Sequence, residues 1–231
     1  MFKVRRLPNF LYLASLVDWK SFRISRNASK IERSQTINDL RNIAQKKAPK
    51  AVFDYVEGGA GEEISYKRSL EVFRRTEFPV KILRKVGKID TSQKILGKKV
   101  DLPVIFAPTG YTRMMHYSGE ISVAKVAAKS NLIYVLSTMG TTSPEELSTE
   151  VPNCRRWMQI YIMRNRSETE KLVKSAEVNG FEALMVTVDT PVPGIRIRDI
   201  KNGLTVPPKI RLRTLIAIAT KPIWWFNLIS T

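Results

Sequence analysis

The sequence predicts an α/β protein of the (β/α)8 TIM-barrel class, carrying about the first four β/α units behind an N-terminal helical extension. Three observations lead there. From Leu102 onward, short apolar runs alternate with amphipathic stretches, the pattern of a parallel sheet with helical crossovers. Neither a G-x-G-x-x-G turn nor a P-loop is present, which argues against the dinucleotide and nucleoside-triphosphate folds. Finally, each apolar run ends in hydrogen-bonding residues: Thr109, then Ser137 and Thr138, then Gln159 and Tyr161, then Thr187 and Asp189. A barrel assembles its site from the C-terminal ends of its strands. Any one of these residues could simply cap its strand; four strands in succession read as one surface.

The elements follow in order. Residues 1–35 form a basic arm without regular periodicity. Thr36-Ile37-Asn38-Asp39 makes a capping box, and Ile37, Leu40, Ile43 and Ala44 give the next helix one apolar face. Pro49 opens a second helix carrying Val52, Phe53 and Val56. Gly58-Gly59 is expected to end it through the left-handed conformation that glycine tolerates. Glu62 to Phe73 is helical again, so 36–100 reads as a helical segment.

The barrel portion spans 101–200. Its strands are Pro103 to Ala107, Leu132 to Leu136, Trp157 to Tyr161 and Ala183 to Val188, the last expected to be buried on both faces. Between them lie helices from Gly119 to Lys129, from Pro144 after Ser143, and from Ser167, capped with Glu170, to Asn179-Gly180. Residues 201–231 form a basic, aromatic tail. Four strands are half of an eight-stranded barrel, and an open half leaves two sheet edges unpaired.

Composition narrows the function classes. With 231 residues and 43% apolar content the chain can build a core. One cysteine, Cys154, excludes an internal disulfide framework, and one histidine, His116, argues against a zinc site, so no metal is expected. The formal net charge of +18 attracts anionic surfaces: nucleic acid, acidic lipid or an acidic protein. The excess lies at the ends, near Trp19 and Phe22 and near Trp224, Trp225 and Phe226. That combination suits a membrane interface as well as it suits a solvated basic surface over buried aromatics. Lys221 and Pro222 interrupt the most apolar stretch, 215–229, which is also short for a span. No small-x-small cleavage site follows the apolar run 10–17, so the expectation is a cytoplasmic chain, peripheral at the inner membrane face at most.

Neutral donors and acceptors at the strand ends suit the heteroatoms of a flat flavin ring better than a phosphate. At these same places the sequence resembles the FMN-dependent 2-hydroxy-acid oxidases and dehydrogenases. The motifs that carry the resemblance are 53–60 (FDYVEGGA), 107–110 (APTG), 136–138 (LST), 159–161 (QIY), 184–191 (LMVTVDTP), 196–203 (RIRDIKNG) and Pro207-Pro208. The basic arm and the Trp-Trp-Phe tail are most similar to the bacterial L-lactate dehydrogenases linked to quinone or cytochrome.

The resemblance implies FMN as cofactor and assigns roles. Pro108, Thr109 and Gly110 would run their backbone along the reactive edge of the isoalloxazine. Ser137, Gln159 and Thr187 would hydrogen-bond its ring heteroatoms. Tyr55 and Arg196 would hold the substrate carboxylate, for which the planar guanidinium fork is suited. Tyr161, the catalytic candidate, would hydrogen-bond the substrate hydroxyl or the developing keto oxygen. The implied reaction is oxidation of a small L-2-hydroxy acid, with L-lactate to pyruvate favoured and quinone, cytochrome or O2 as electron acceptor. In this family the catalytic base, a histidine, lies in the second half of the barrel. His116 does not match it, so His116 is expected to be structural and the chain to be truncated before the base. It would then work as one piece of a flavoenzyme, as a homo-oligomer or with a complementary C-terminal half. The other reading is a catalytically inactive fragment serving as a basic module on membrane or nucleic acid; the motifs argue against nucleic acid.

Overall fold

The computed structural model describes residues 30–203 apart from 86, 191 and 193, together with 216 and 219–230. Most of the basic arm, with Trp19 and Phe22, and the Pro207-Pro208 motif lie outside the described residues. The chain divides into two compact units, Met1–Lys47 and Ala48–Thr231.

In the first unit, helix α1 (Ile37–Lys47) starts where the capping box predicts. Asp39 N–H donates to Thr36 Oγ1 at 3.1 Å, while the Asp39 carboxylate accepts from Thr36 N–H at 2.9 Å. Two orphan amides are satisfied reciprocally.

The second unit opens with α2 (Lys50–Glu57) and α3 (Ile64–Arg75). Gly58 does end α2, but in extended backbone (φ −80°, ψ 153°), not left-handed. Its reason is room. A Cβ there would stand 2.6 Å from the Asp54 carbonyl oxygen and 3.1 Å from Arg198 Cδ. The stretch read as helical also holds a β-hairpin, β1 (Gln93–Ile95) and β2 (Lys98–Val100).

Four parallel strands follow in sequential order: β3 (Ile105–Phe106), β4 (Ile133–Leu136), β5 (Arg155–Ile160) and β6 (Ala183–Val186). The connections carry α4 (Thr112–Met115) and α5 (Gly119–Lys129), then α6 (Pro144–Glu150), then α7 (Arg166–Val178). Side chains alternate across the sheet, as strand geometry demands. Tyr134, Leu136, Met158 and Ile160 join Ala124 and Ala127 of α5, Leu147 of α6 and Ala176 of α7 in the outer core. Ile133, Val135 and Trp157 face the other way, with Ile105, Ala183 and Met185. There Val100 and Ile95 of the hairpin cover them, so the hairpin closes the inner floor. Lys98 and Arg155 both pair with Glu182, at 2.8 and 2.9 Å, and Arg155 also donates to the Ile95 carbonyl at 3.3 Å. This staple fixes the hairpin to the start of β5 and β6.

Two further expectations are corrected. β6 is not buried on both faces: Leu184 and Val186 are each 43% exposed. Among the described residues β6 is the last strand, and the chain leaves it for α8 (Ile197–Asn202), which packs on α2. The N-cap of α7 is Asn165, whose side chain accepts from Ser167 N–H at 3.2 Å; Ser167 and Glu170 lie within the helix. A tail helix, α9 (Pro222–Ile229), completes the unit. Among the described residues no helix is long and apolar enough to cross a membrane.

Candidate functional site

Parallel pairing places the ends of β4, β5 and β6 side by side, with Leu136 opposite Met158 and Ile160 opposite Val186. The three polar residues there are joined. Ser137 Oγ lies 3.4 Å from Gln159 Oε1, and Gln159 Nε2 donates to Thr187 Oγ1 at 2.7 Å. Gln159 is 2% exposed and Ser137 8%, while Thr187 is partly exposed, so the row is buried at β4 and β5 and opens to solvent at β6. The Gln159 carboxamide also accepts from Thr138 N–H at 2.9 Å. Thr138 itself donates to the Gln159 carbonyl at 2.7 Å, a strand-capping role. Asp189, also singled out in the sequence, is exposed beyond the end of β6.

Pro108, Thr109 and Gly110 form the loop after β3. It is clasped to the loop after β4: Tyr111 N–H donates to the Met139 carbonyl at 2.9 Å. At Gly110 a Cβ would come within 2.9 Å of Met139 Cβ, so the close approach of the two loops requires glycine. Thr109 is exposed and its hydroxyl bonds only weakly back to the Ala107 carbonyl, at 3.4 Å.

Tyr55, on α2, and Arg196, just before α8, come together across 141 residues of sequence. The guanidinium carbon sits 5.0 Å from the Tyr55 ring centroid, and Arg196 Nη2 donates to the Tyr55 carbonyl. Arg196 Nε donates to Asp199 Oδ2 at 2.5 Å. Asp199 is 6% exposed, so its charge is screened little and holds the guanidinium in place. Two further tethers fix this segment: Arg198 to Glu63 at 2.5 Å and Asn202 to Asp54 at 2.8 Å. Gly61 N–H donates to the Ile195 carbonyl at 2.8 Å.

Tyr55 also meets Tyr111 edge to face, ring centroids 5.9 Å apart. Burial pushes the Tyr55 phenol above its ordinary pKa and Tyr111 adds to that; Arg196 pulls the other way, and Asp199 and Tyr161 contribute smaller upward shifts. Tyr55, Tyr111, Tyr161 and Arg196 therefore share one neighbourhood, three phenol rings beside a tethered guanidinium. Tyr161 stands past the end of β5, 37% exposed. Asp54 is pushed up by burial but pulled down further by hydrogen bonds from Lys50 and Asn202, ending below the usual carboxylate range.

His116 is exposed and engaged locally. Its Nδ1 lies 2.6 Å from Ser118 Oγ, and its ring stacks on Tyr117 at 4.5 Å, at the start of α5. Cys154 is buried, and among the described residues no group of three or more metal-binding side chains occurs.

The sequence alone did not single out Tyr111, Asp199 or Glu120. Asp199 carries a legible signal, standing three residues after Arg196 as an acid in the first turn of α8. Tyr111 carries none: its left-handed backbone, φ 55°, shows only in three dimensions.

Known proteins bear on this site. The family of FMN-dependent dehydrogenases matches residues 44–230. A protein of Mycobacterium tuberculosis named "Putative L-lactate dehydrogenase" is 40% identical over 227 residues, covering 98% of this chain and 55% of that protein. Human 2-hydroxyacid oxidase 1 is 35% identical over 177 residues, covering 77% of this chain and 48% of the oxidase. The crystal structure of the monotopic membrane protein (S)-mandelate dehydrogenase superposes with a TM-score of 0.80 at 29% identity, covering 86% of this chain and 52% of that one. The chain thus spans about half the length of the relatives it matches.

Proposed function

The chain belongs to the FMN-dependent dehydrogenase family, whose members oxidise 2-hydroxy acids, and we propose that it supplies the substrate-orienting half of such a site, with L-lactate as substrate. The observation that carries the proposal is the pairing of two built features. A linked, mostly buried row of neutral hydrogen-bonding groups (Ser137, Gln159, Thr187) lies in the same unit as an arginine held over a tyrosine ring (Arg196, Tyr55).

The residues fit the flavin. Three neighbouring strand ends span two strand spacings, about 9.5 Å, the reach of a flat fused-ring system. Their donors and acceptors are uncharged, and the Gly110 backbone offers a side-chain-free edge beside them. Ser137, Gln159 and Thr187 would hold the ring, and Pro108 to Gly110 would flank it. FMN, when bound, accepts the two electrons removed from the substrate.

The remaining work falls to this chain's own side chains. Arg196, with two of its nitrogens already spent on Asp199 and the Tyr55 carbonyl, presents the rest of its fork to a carboxylate. The Tyr55 phenol, kept protonated by burial, donates to the same carboxylate. Tyr161, 37% exposed at the strand end, would offer its hydroxyl to the substrate hydroxyl oxygen. Holding two points of a small acid fixes the face it presents, an orientation contribution to rate. Proton removal needs a base. His116 is tied to Ser118 and Tyr117, so that step falls to a different group. Lactate is favoured over longer acids by the 40% identity to the mycobacterial protein. Electron acceptors compatible with the reading are quinone, cytochrome or O2.

The test uses the full chain loaded with FMN under anaerobic conditions, with L-lactate added and the flavin absorbance followed. Lactate should perturb or bleach the band of the wild type. Arg196→Ala should need at least about 10-fold more lactate for the same change, the loss of one charge-assisted pair. An Arg196→Ala chain that responds like wild type would overturn the assignment.

A second reading concerns location. Helix α9 exposes Ile223 (75%), Phe226 (67%) and Ile229 (64%), while Trp224 anchors it by donating to the Met114 carbonyl at 2.7 Å. With a net charge of +18 and a solved relative described as a monotopic membrane protein, we propose that α9 rests on an anionic lipid surface.

A further inference from the structure

Glu120 is the second residue of α5 and is completely buried. None of the described ion pairs involves it. A carboxylate in that position is costly unless its oxygens are fully hydrogen-bonded. They are: Oε1 accepts from Thr141 N–H at 2.7 Å, and Oε2 accepts from the Thr141 hydroxyl at 2.6 Å and the Thr142 hydroxyl at 3.0 Å. The positive end of the helix adds to this. Burial pushes the Glu120 carboxyl up, but the bonds from threonine hydroxyls and the Thr141 amide bring it below its ordinary pKa. It is therefore an anion at neutral pH.

What this anion holds is the back of the proposed flavin site. The Thr141 hydroxyl that donates to Glu120 also accepts from Arg113 N–H at 3.3 Å, at the start of α4. Two residues upstream of Thr141, the Met139 carbonyl accepts from Tyr111 N–H, and Met139 N–H donates to Ser137 Oγ at 3.1 Å. Gly140 lets the loop lie flat on the carboxylate: a Cβ there would meet the Ser137 carbonyl at 2.9 Å and Glu120 Oε1 at 3.4 Å. One carboxylate thus ties together the loop carrying Pro108–Gly110 and the loop carrying Ser137.

We propose that Glu120 is a positioning residue for the flavin, holding the clasped Pro108–Tyr111 and Ser137–Met139 loops in the register against which the ring would lie. The proposal rests on the reading of this site as the FMN site. Glu120 touches neither cofactor nor substrate; it acts through Thr141 and Thr142.

The experiment compares the full wild-type chain with Glu120→Gln and Glu120→Ala, by amide hydrogen exchange and by FMN titration. In Glu120→Ala, exchange should accelerate about 10-fold or more in 110–113 and 139–142 while β5, 155–160, is unchanged. FMN affinity should fall about 10-fold, the equivalent of one charge-assisted hydrogen bond, and the flavin band should change shape. Glu120→Gln should be intermediate, because its amide oxygen still accepts from Thr141 N–H. It also carries the comparison if Glu120→Ala does not fold. Equal acceleration in every segment, or loosened loops with unchanged FMN affinity, would reduce Glu120 to a purely structural residue and overturn the proposal. FMN uptake by the wild type that neither variant alters overturns the Glu120 assignment alone. No uptake by the wild type overturns the flavin reading on which it rests.

Discussion

Gly58 separates two physical reasons for a glycine that look alike in sequence. After a helix, glycine usually supplies a left-handed residue. Here φ is −80°, which any residue adopts, and the constraint is the Asp54 carbonyl 2.6 Å from where a Cβ would stand. Gly58→Ala should therefore destabilise the chain by about 1–3 kcal/mol, the usual cost of overpacking. Gly87, with open space around it, should take alanine within about 0.5 kcal/mol. Urea unfolding of the two variants checks this, and equal midpoints would refute the steric account. The same limit explains what was legible among the site residues. Tyr55, Arg196, Ser137, Gln159 and Thr187 stand in motifs that the sequence displays, and the structure links them into two clusters. Tyr111 and Glu120 act through a backbone angle and a burial that no residue type announces.

Among elements, the sequence located α1 and all four parallel strands because capping chemistry and apolar runs are local signals. It misplaced the start of α7, since Asn165 and Ser167 are both good caps and only the geometry chooses Asn165. It also overstated the burial of β6, because an unbroken apolar run does not say what covers each face. The tail helix was legible only as composition, and its exposed face appears once Trp224 is seen fastened to Met114. If that face rests on lipid, the chain should sediment with vesicles containing anionic phospholipid, and Phe226→Ser with Ile229→Ser should reduce the bound fraction several-fold. Equal sedimentation of the double variant, or no binding at all, would remove α9 from the membrane.

Across the whole molecule, several carboxylates sit below their ordinary pKa for one shared reason. Asp54, Glu63, Glu120 and Glu182 each lose some hydration, which raises them, but gain more from hydrogen bonds and, in all but Glu120, from nearby cations. A group whose folded pKa is depressed binds fewer protons folded than unfolded, so it adds stability above its unfolded pKa and loses it on acidification. The chain should hold a steady urea midpoint from about pH 7 to 5 and lose stability as pH falls through and below about 4, where unfolded carboxylates titrate. A midpoint that rises on acidification would contradict these assignments. FMN binding by the whole chain, wild type against Gln159→Ala, followed by quenching of flavin fluorescence, tests the flavin assignment most directly. Gln159 links Ser137 to Thr187, so its loss breaks the row that is proposed to hold the ring. The wild type should quench saturably and the variant should bind at least about 10-fold more weakly. Quenching that Gln159→Ala leaves unchanged, or none with either chain, would mean that these strand ends are not the flavin site.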